Sequence, residues 1–127
     1  MSIETGVLFG FDHEVLYWHL PGDRSAGALP DSQKLWEVFR ENRDKIYGFA
    51  HSHPGSGVPG PSWEDVTTFA GIELGLHRRL IWPIVTSDNI SNVLWNGPGK
   101  YDYVVHQLGG RFHDPSWVAE LRRHSNY

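Results

Sequence analysis

His51 and His53 stand two residues apart at the end of the run Ile46-Tyr47-Gly48-Phe49-Ala50, with Pro54 directly after them. Alternate residues of an extended segment share a face, so the two imidazoles project to one side from Cα atoms about 6.6 Å apart, which suits two ligands of one ion. Asp65 supplies a third donor, in the first turn of a predicted helix that begins just across a seven-residue loop. Zinc takes imidazole nitrogens at ~2.0 to 2.1 Å, commonly adds a carboxylate, and keeps a fourth position for water where the site is catalytic. Each piece also has a plainer reading. Ser62-Trp63-Glu64-Asp65 has the form of a helix capping box, and a His-x-His pair on a strand is often one core and one surface residue. Strand, paired histidines, Gly/Pro loop, Ser-x-x-Asp and helix nevertheless follow one another without interruption, and together they favour the metal site.

The surrounding pattern predicts the elements that must hold these groups. Val7 to Phe11 and Val15 to Leu20 read as two strands joined by a tight hairpin at Asp12-His13-Glu14, and the stretch Leu20 to Gly27 then breaks the pattern. After Pro30, Asp31 or Ser32 caps a helix ending near Asp44, with Leu35, Trp36, Val38 and Phe39 as its apolar stripe and Lys34, Glu37, Arg40 and Glu41 facing water. Ile46 to Ala50 forms a strand that ends at the histidines, because Pro54 has no N–H to continue an interior ladder. Gly55 to Pro61 holds three Gly and two Pro in seven residues and is a loop by composition. The next helix carries Val66, Phe69, Ala70 and Leu74 inward, and its Gly71 and Gly75 point to close packing. Leu80 to Thr86, Asn92 to Trp95 and Tyr101 to His106 read as strands, with Asn96-Gly97-Pro98-Gly99 as the last turn. Asp114-Pro115-Ser116 opens a final helix, Trp117 to Arg123. Intermixed strands and helices with hairpins at both ends predict an α/β or α+β chain built on one mixed sheet with helices packed on it.

Composition narrows the chemistry further. The 127 residues are about one domain's length, so residues 1–127 are expected to form a single unit, and seventeen aromatic residues suffice to close its core. The net charge is −4 and no Lys/Arg block occurs, which argues against a nucleic-acid partner. No apolar run approaches the ~20 residues that span a bilayer, and Met1 to Gly6 has neither basic nor long apolar character, so a cytoplasmic location is expected. The absence of cysteine removes disulfides, thiolate nucleophiles and every cysteine-based zinc site, including that of the zinc deaminases. His13-Glu14 with His19 is not a zincin motif: the histidines are six apart rather than four on a helix, and on an extended hairpin they would lie about 20 Å apart. His77, His106, His113 and His124 have no partner at ligand spacing and are expected to be surface or cap residues.

With these residues in view, the chain resembles the JAMM (MPN-plus, JAB domain) zinc metalloproteases. That family's pattern is a Glu near the start, then His-x-His-Pro, then Ser-x-x-Asp. Glu4-Thr5-Gly6-Val7 resembles the Glu-containing segment, and His51-Ser52-His53-Pro54 and Ser62-Trp63-Glu64-Asp65 match the rest in order across nearly the whole chain. Eleven residues separate His53 from Asp65, one more than in the family pattern, and the extra residue falls in the Gly/Pro loop. The resemblance implies an MPN/JAB-like, cytidine-deaminase-like architecture with one Zn²⁺ per chain, held by His51, His53 and Asp65. It implies Glu4 as general base and Ser62 as hydrogen-bond donor to the oxyanion. The substrate implied is the C-terminal peptide or isopeptide bond of a ubiquitin-like or sulfur-carrier protein with a flexible tail.

Other acidic residues compete with Glu4 for the role of base. Glu14, Glu37 and Glu41 also precede the histidines, but Glu37 and Glu41 lie one turn apart on a solvent face and Glu14 sits in a hairpin turn. Glu4 alone has the family context, its plainer reading being a frayed terminal residue. Gly109-Gly110 resembles a ubiquitin-like tail only superficially, because seventeen residues follow it. A different class of function, a non-catalytic MPN-type scaffold that binds partners through the same fold, is the alternative. Such relatives lack part of the metal set, which this chain keeps.

Overall fold

The computed structural model describes residues 4–20, 33–107 and 114–125. Among them run β1 (Gly6–Gly10), β2 (Val15–His19), α1 (Gln33–Glu41), β3 (Ile46–Ser52), α2 (Trp63–Leu76), β4 (Ile84–Val85), β5 (Ile90–Trp95), β6 (Tyr103–Gln107) and α3 (Trp117–His124). The strands form one six-stranded mixed sheet in the order β2-β1-β3-β4-β5-β6, parallel only between β3 and β4. The mixed α/β class with three helices on a single sheet is therefore as the pattern predicts. No described helix is long and apolar enough to cross a membrane.

The helices lie on both faces of the sheet. Leu35, Val38 and Phe39 of α1 and Phe69, Ile72 and Leu76 of α2 close one core with Leu8, Phe49, Trp82, Ile84 and Val93. Trp117, Val118 and Leu121 of α3 close a second with Val7, Phe9, Ala50, Val85 and Ile90. Alternation along β1 and β3 feeds both cores, since neighbouring residues of a strand face opposite ways. Leu8 and Phe49 thus serve one core, Val7 and Ala50 the other. Lys34, Glu37, Arg40 and Glu41 face water as expected.

Three expectations need correction. The strand predicted over Leu80 to Thr86 is reduced to Ile84–Val85, although the chain runs alongside β3 from Ile81, whose N–H bonds Tyr47 O at 3.2 Å. Pro83 has no N–H to give to the next carbonyl of β3, so the ladder is interrupted there. Leu74, expected inward, is 65% exposed. The buried face of α2 is set by Phe69, Ile72, Glu73 and Leu76, and Leu74, two positions on from Ile72, is turned about 200° away from it. Gly71 is exposed too, with nothing within 4 Å of where a Cβ would stand, while a Cβ on Gly75 would meet only the Trp36 ring at 3.4 Å. The cap expected at Asp31 or Ser32, the break at 21–27, Gly109-Gly110 and His113 fall outside the described residues.

Candidate metal centre

Strand β3 carries His51, and His53 follows directly after its last residue. The N–H of His51 bonds Pro83 O at 3.0 Å and that of His53 bonds Val85 O at 2.9 Å, so the parallel neighbour fixes the backbone at both positions. The strand runs through His51 and Ser52 and stops before Pro54, as the missing N–H requires. The His51 ring is buried edge-on against Phe69 at 5.9 Å, and Phe69 in turn stacks on Trp82 at 4.4 Å. An aromatic wall therefore sets the direction of the first imidazole.

Asp65 arrives from α2. Ser62 is the N-cap, its Oγ accepting from Asp65 N–H at 3.0 Å while Asp65 Oδ2 accepts from Ser62 N–H at 2.9 Å, which completes the capping box. The capping reading and the ligand reading are compatible, because a carboxylate oxygen has lone pairs for both. The intervening loop is tied to the β4–β5 turn: Thr86 Oγ1 donates to Gly57 O at 2.6 Å and Asp88 Oδ1 accepts from Gly57 N–H at 2.8 Å. Gly55 and Gly57 sit at φ +88° and +92°, a region glycine enters without steric cost.

The three donors converge. His51 Nε2 lies 3.0 Å from His53 Nε2, His53 Nε2 lies 3.0 Å from Asp65 Oδ2, and His51 Nε2 lies 3.4 Å from Asp65 Oδ1. A tetrahedral ion with bonds of ~2.0 to 2.1 Å separates its ligand atoms by about 3.3 Å, so the spacing fits such an ion. Two imidazoles and a carboxylate suit a first-row transition-metal ion better than calcium or magnesium, which prefer all-oxygen shells. Among the described residues this is the one group of three or more His and acidic side chains that could hold a metal ion. Burial alone would raise the Asp65 carboxyl, but hydrogen bonds from His51 and His53, the charge of His51 and the Ser62 N–H more than offset it and hold the group well below its usual range.

Glu4 stands beside the group without belonging to it, its Oε1 3.9 Å from His53 Nε2. It is buried, not frayed, because Thr5 next to it joins the sheet margin: Thr5 O accepts from Ser52 N–H at 3.0 Å. Burial pushes its carboxyl up from 4.5 to about 7, lowered somewhat by His53 and raised further by Asp65 and Glu64. Ser62 is exposed at the lip of the site, and with its oxygen accepting from Asp65, its proton is available to donate outward.

The remaining candidates stay apart from this group. Glu14 is exposed at the β1–β2 turn, where its side chain accepts from Asp12 N–H at 3.3 Å, and Glu37 and Glu41 are on the outer face of α1. His77 is the left-handed C-cap of α2 and His106 is exposed, as expected. His124 is half-buried instead, edge-on to Trp18 at 5.0 Å, and His19 is fully buried beside Tyr17 and Phe49. Sequence reasoning missed Glu73, whose buried carboxyl group accepts from Leu80 N–H at 2.8 Å, Trp82 Nε1 at 3.1 Å, Arg79 at 2.9 Å and the Tyr103 hydroxyl. Its place on the Phe69–Ile72–Leu76 face was the available signal, a carboxyl group within an apolar stripe. Comparison of the chain with protein-family models and with curated proteins finds no match.

Proposed function

We propose that this chain is a zinc-dependent peptidase or isopeptidase of the JAMM type that hydrolyses the C-terminal bond of a ubiquitin-like or sulfur-carrier protein. The observation that carries this reading is the convergence of His51, His53 and Asp65 at ligand spacing with Glu4 beside them. The six-stranded sheet with helices on both faces supports an MPN/JAB-like architecture.

His51 and His53, fixed through their backbones to β4, and Asp65, fixed by the capping box, would hold Zn²⁺ at three positions. When bound, zinc lowers the pKa of a coordinated water from 15.7 to about 7 and polarises a carbonyl oxygen. Glu4 accepts the water's proton as the oxygen adds to the scissile carbonyl carbon, then passes it to the leaving amine as the C–N bond breaks. Its burial favours that task, since a carboxyl group held near neutrality exchanges protons at working pH more readily than an ordinary Glu. Ser62 Oγ–H donates to the developing oxyanion, a contact whose loss typically costs about 10²- to 10³-fold in rate.

The complete capping box serves the scaffold reading, because it gives Ser62 and Asp65 a purely helical task. That reading leaves unexplained why both histidines turn Nε2 toward the same carboxylate and why Glu4 is buried against them. The discriminating experiment is a panel of ubiquitin-like and sulfur-carrier fusions scored by mass spectrometry. Wild type is expected to release the fusion partner, and chelator or Glu4→Gln to abolish release. A zinc-loaded wild type no faster than Glu4→Gln on every substrate would leave the scaffold.

A further inference from the structure

Ser52 lies between the two histidines and therefore faces the other side of the sheet, toward α3. It is fully buried, as are Thr5 and Ser125, residues 47 and 73 positions away along the chain. Ser52 Oγ accepts from Thr5 N–H at 2.9 Å and lies 2.7 Å from Ser125 Oγ, which lies 2.7 Å from Leu121 O. Ser125 Oγ–H is the donor toward both acceptors, Ser52 Oγ and Leu121 O. A buried relay of hydrogen bonds results, in which Ser52 Oγ accepts from Thr5 N–H and from Ser125, and Ser125 also binds the last turn of α3. Thr5 Oγ1 adds a second strap to the same turn, donating to His124 O at 3.3 Å.

This relay joins the segments that carry the site. Glu4 is the residue before Thr5, and His51 and His53 flank Ser52. The segments are already paired by the backbone bond from Ser52 N–H to Thr5 O at 3.0 Å, and the relay braces that junction from behind the sheet. We propose that Ser52 and Ser125 are positioning residues, and that the end of α3 holds the Glu4 segment in register with the histidine pair. A relay used only for folding needs no such address. The apolar face of α3 already docks the helix through Trp117, Val118 and Leu121, whereas the buried hydroxyls meet only where the base and the ligands are joined.

The catalytic consequence rests on the peptidase reading above; the geometric one does not, and the test separates them. Ser125→Ala is compared with Val118→Ala, which loosens α3 without touching the relay. Ser125→Ala is expected to lower kcat about 10- to 100-fold with KM unchanged, as for groups that orient a site from outside it, and to leave zinc affinity within about threefold because the ligands are untouched. Val118→Ala should keep kcat within about twofold despite a lower melting temperature. Exchange of the Thr5 amide is expected to speed up at least about 10-fold in Ser125→Ala and not in Val118→Ala, because its acceptor loses the group that anchors it. Wild-type kcat in Ser125→Ala, or an equal loss in Val118→Ala, would overturn the proposal. If wild type cleaves nothing, the peptidase reading fails alone: Thr5 amide exchange still decides the clamp, and unchanged protection in Ser125→Ala sinks it.

Discussion

Glu4 has two readings that the sequence could not separate, a frayed surface residue or a base, and its burial removes the first. Its carboxyl sits at about 7 instead of 4.5, so the folded metal-free chain binds a proton that the unfolded chain has released. The linked stability is fully present below about pH 4.5 and is lost as pH rises through about 7. Metal-free wild type should therefore lose on the order of 2 kcal/mol relative to Glu4→Gln between about pH 4.5 and pH 8, read from urea unfolding. A constant difference across that range would contradict the burial argument. The His51, His53 and Asp65 group was legible because each is a chemically distinctive residue at a short fixed spacing. Ser125 was not, since a serine 73 positions from its partner carries no local mark.

At the scale of elements, α2 does two jobs at its start and one in its middle. Its N-cap serine accepts from the Asp65 N–H and, on the proposed mechanism, donates to the oxyanion. Ser62→Ala should then cost about 1 kcal/mol in unfolding free energy and also about 10²- to 10³-fold in kcat. Loss of stability with full kcat would leave Ser62 a cap only. In the middle of the helix, Glu73 ties α2 to Leu80, Trp82, Arg79 and Tyr103. Burial, and then the contact with Glu73, pushes the Tyr103 hydroxyl above its ordinary range. Glu73→Ala should destabilise the fold by about 3 kcal/mol or more by orphaning buried donors, measured by denaturant unfolding; a cost under about 1 kcal/mol would contradict that account. Helix starts and turns were legible from Ser, Pro and Gly signals. The shortened β4 was legible only in part, because Pro83 marks a break without saying which neighbour it breaks from, and Leu74 was misplaced because α2 buries a carboxyl group on its inner face.

For the whole molecule, alternating and helical periodicities sufficed for the mixed α/β class, while the order β2-β1-β3-β4-β5-β6 depends on pairings between distant segments that one sequence does not display. The topology matters because it lays three separate stretches, around residues 4, 51–53 and 62–65, at one end of β3. Binding an ion there should join them and raise global stability, by about 2.7 kcal/mol when free zinc is 100 times its dissociation constant. A melting temperature indifferent to zinc would argue against a preformed site. The most direct measurement is calorimetric titration of zinc into the metal-free chain beside His53→Ala. The account predicts one tightly bound zinc per chain in wild type and loss of that binding in the variant; no stoichiometric zinc in wild type, or equal binding in both, would contradict it.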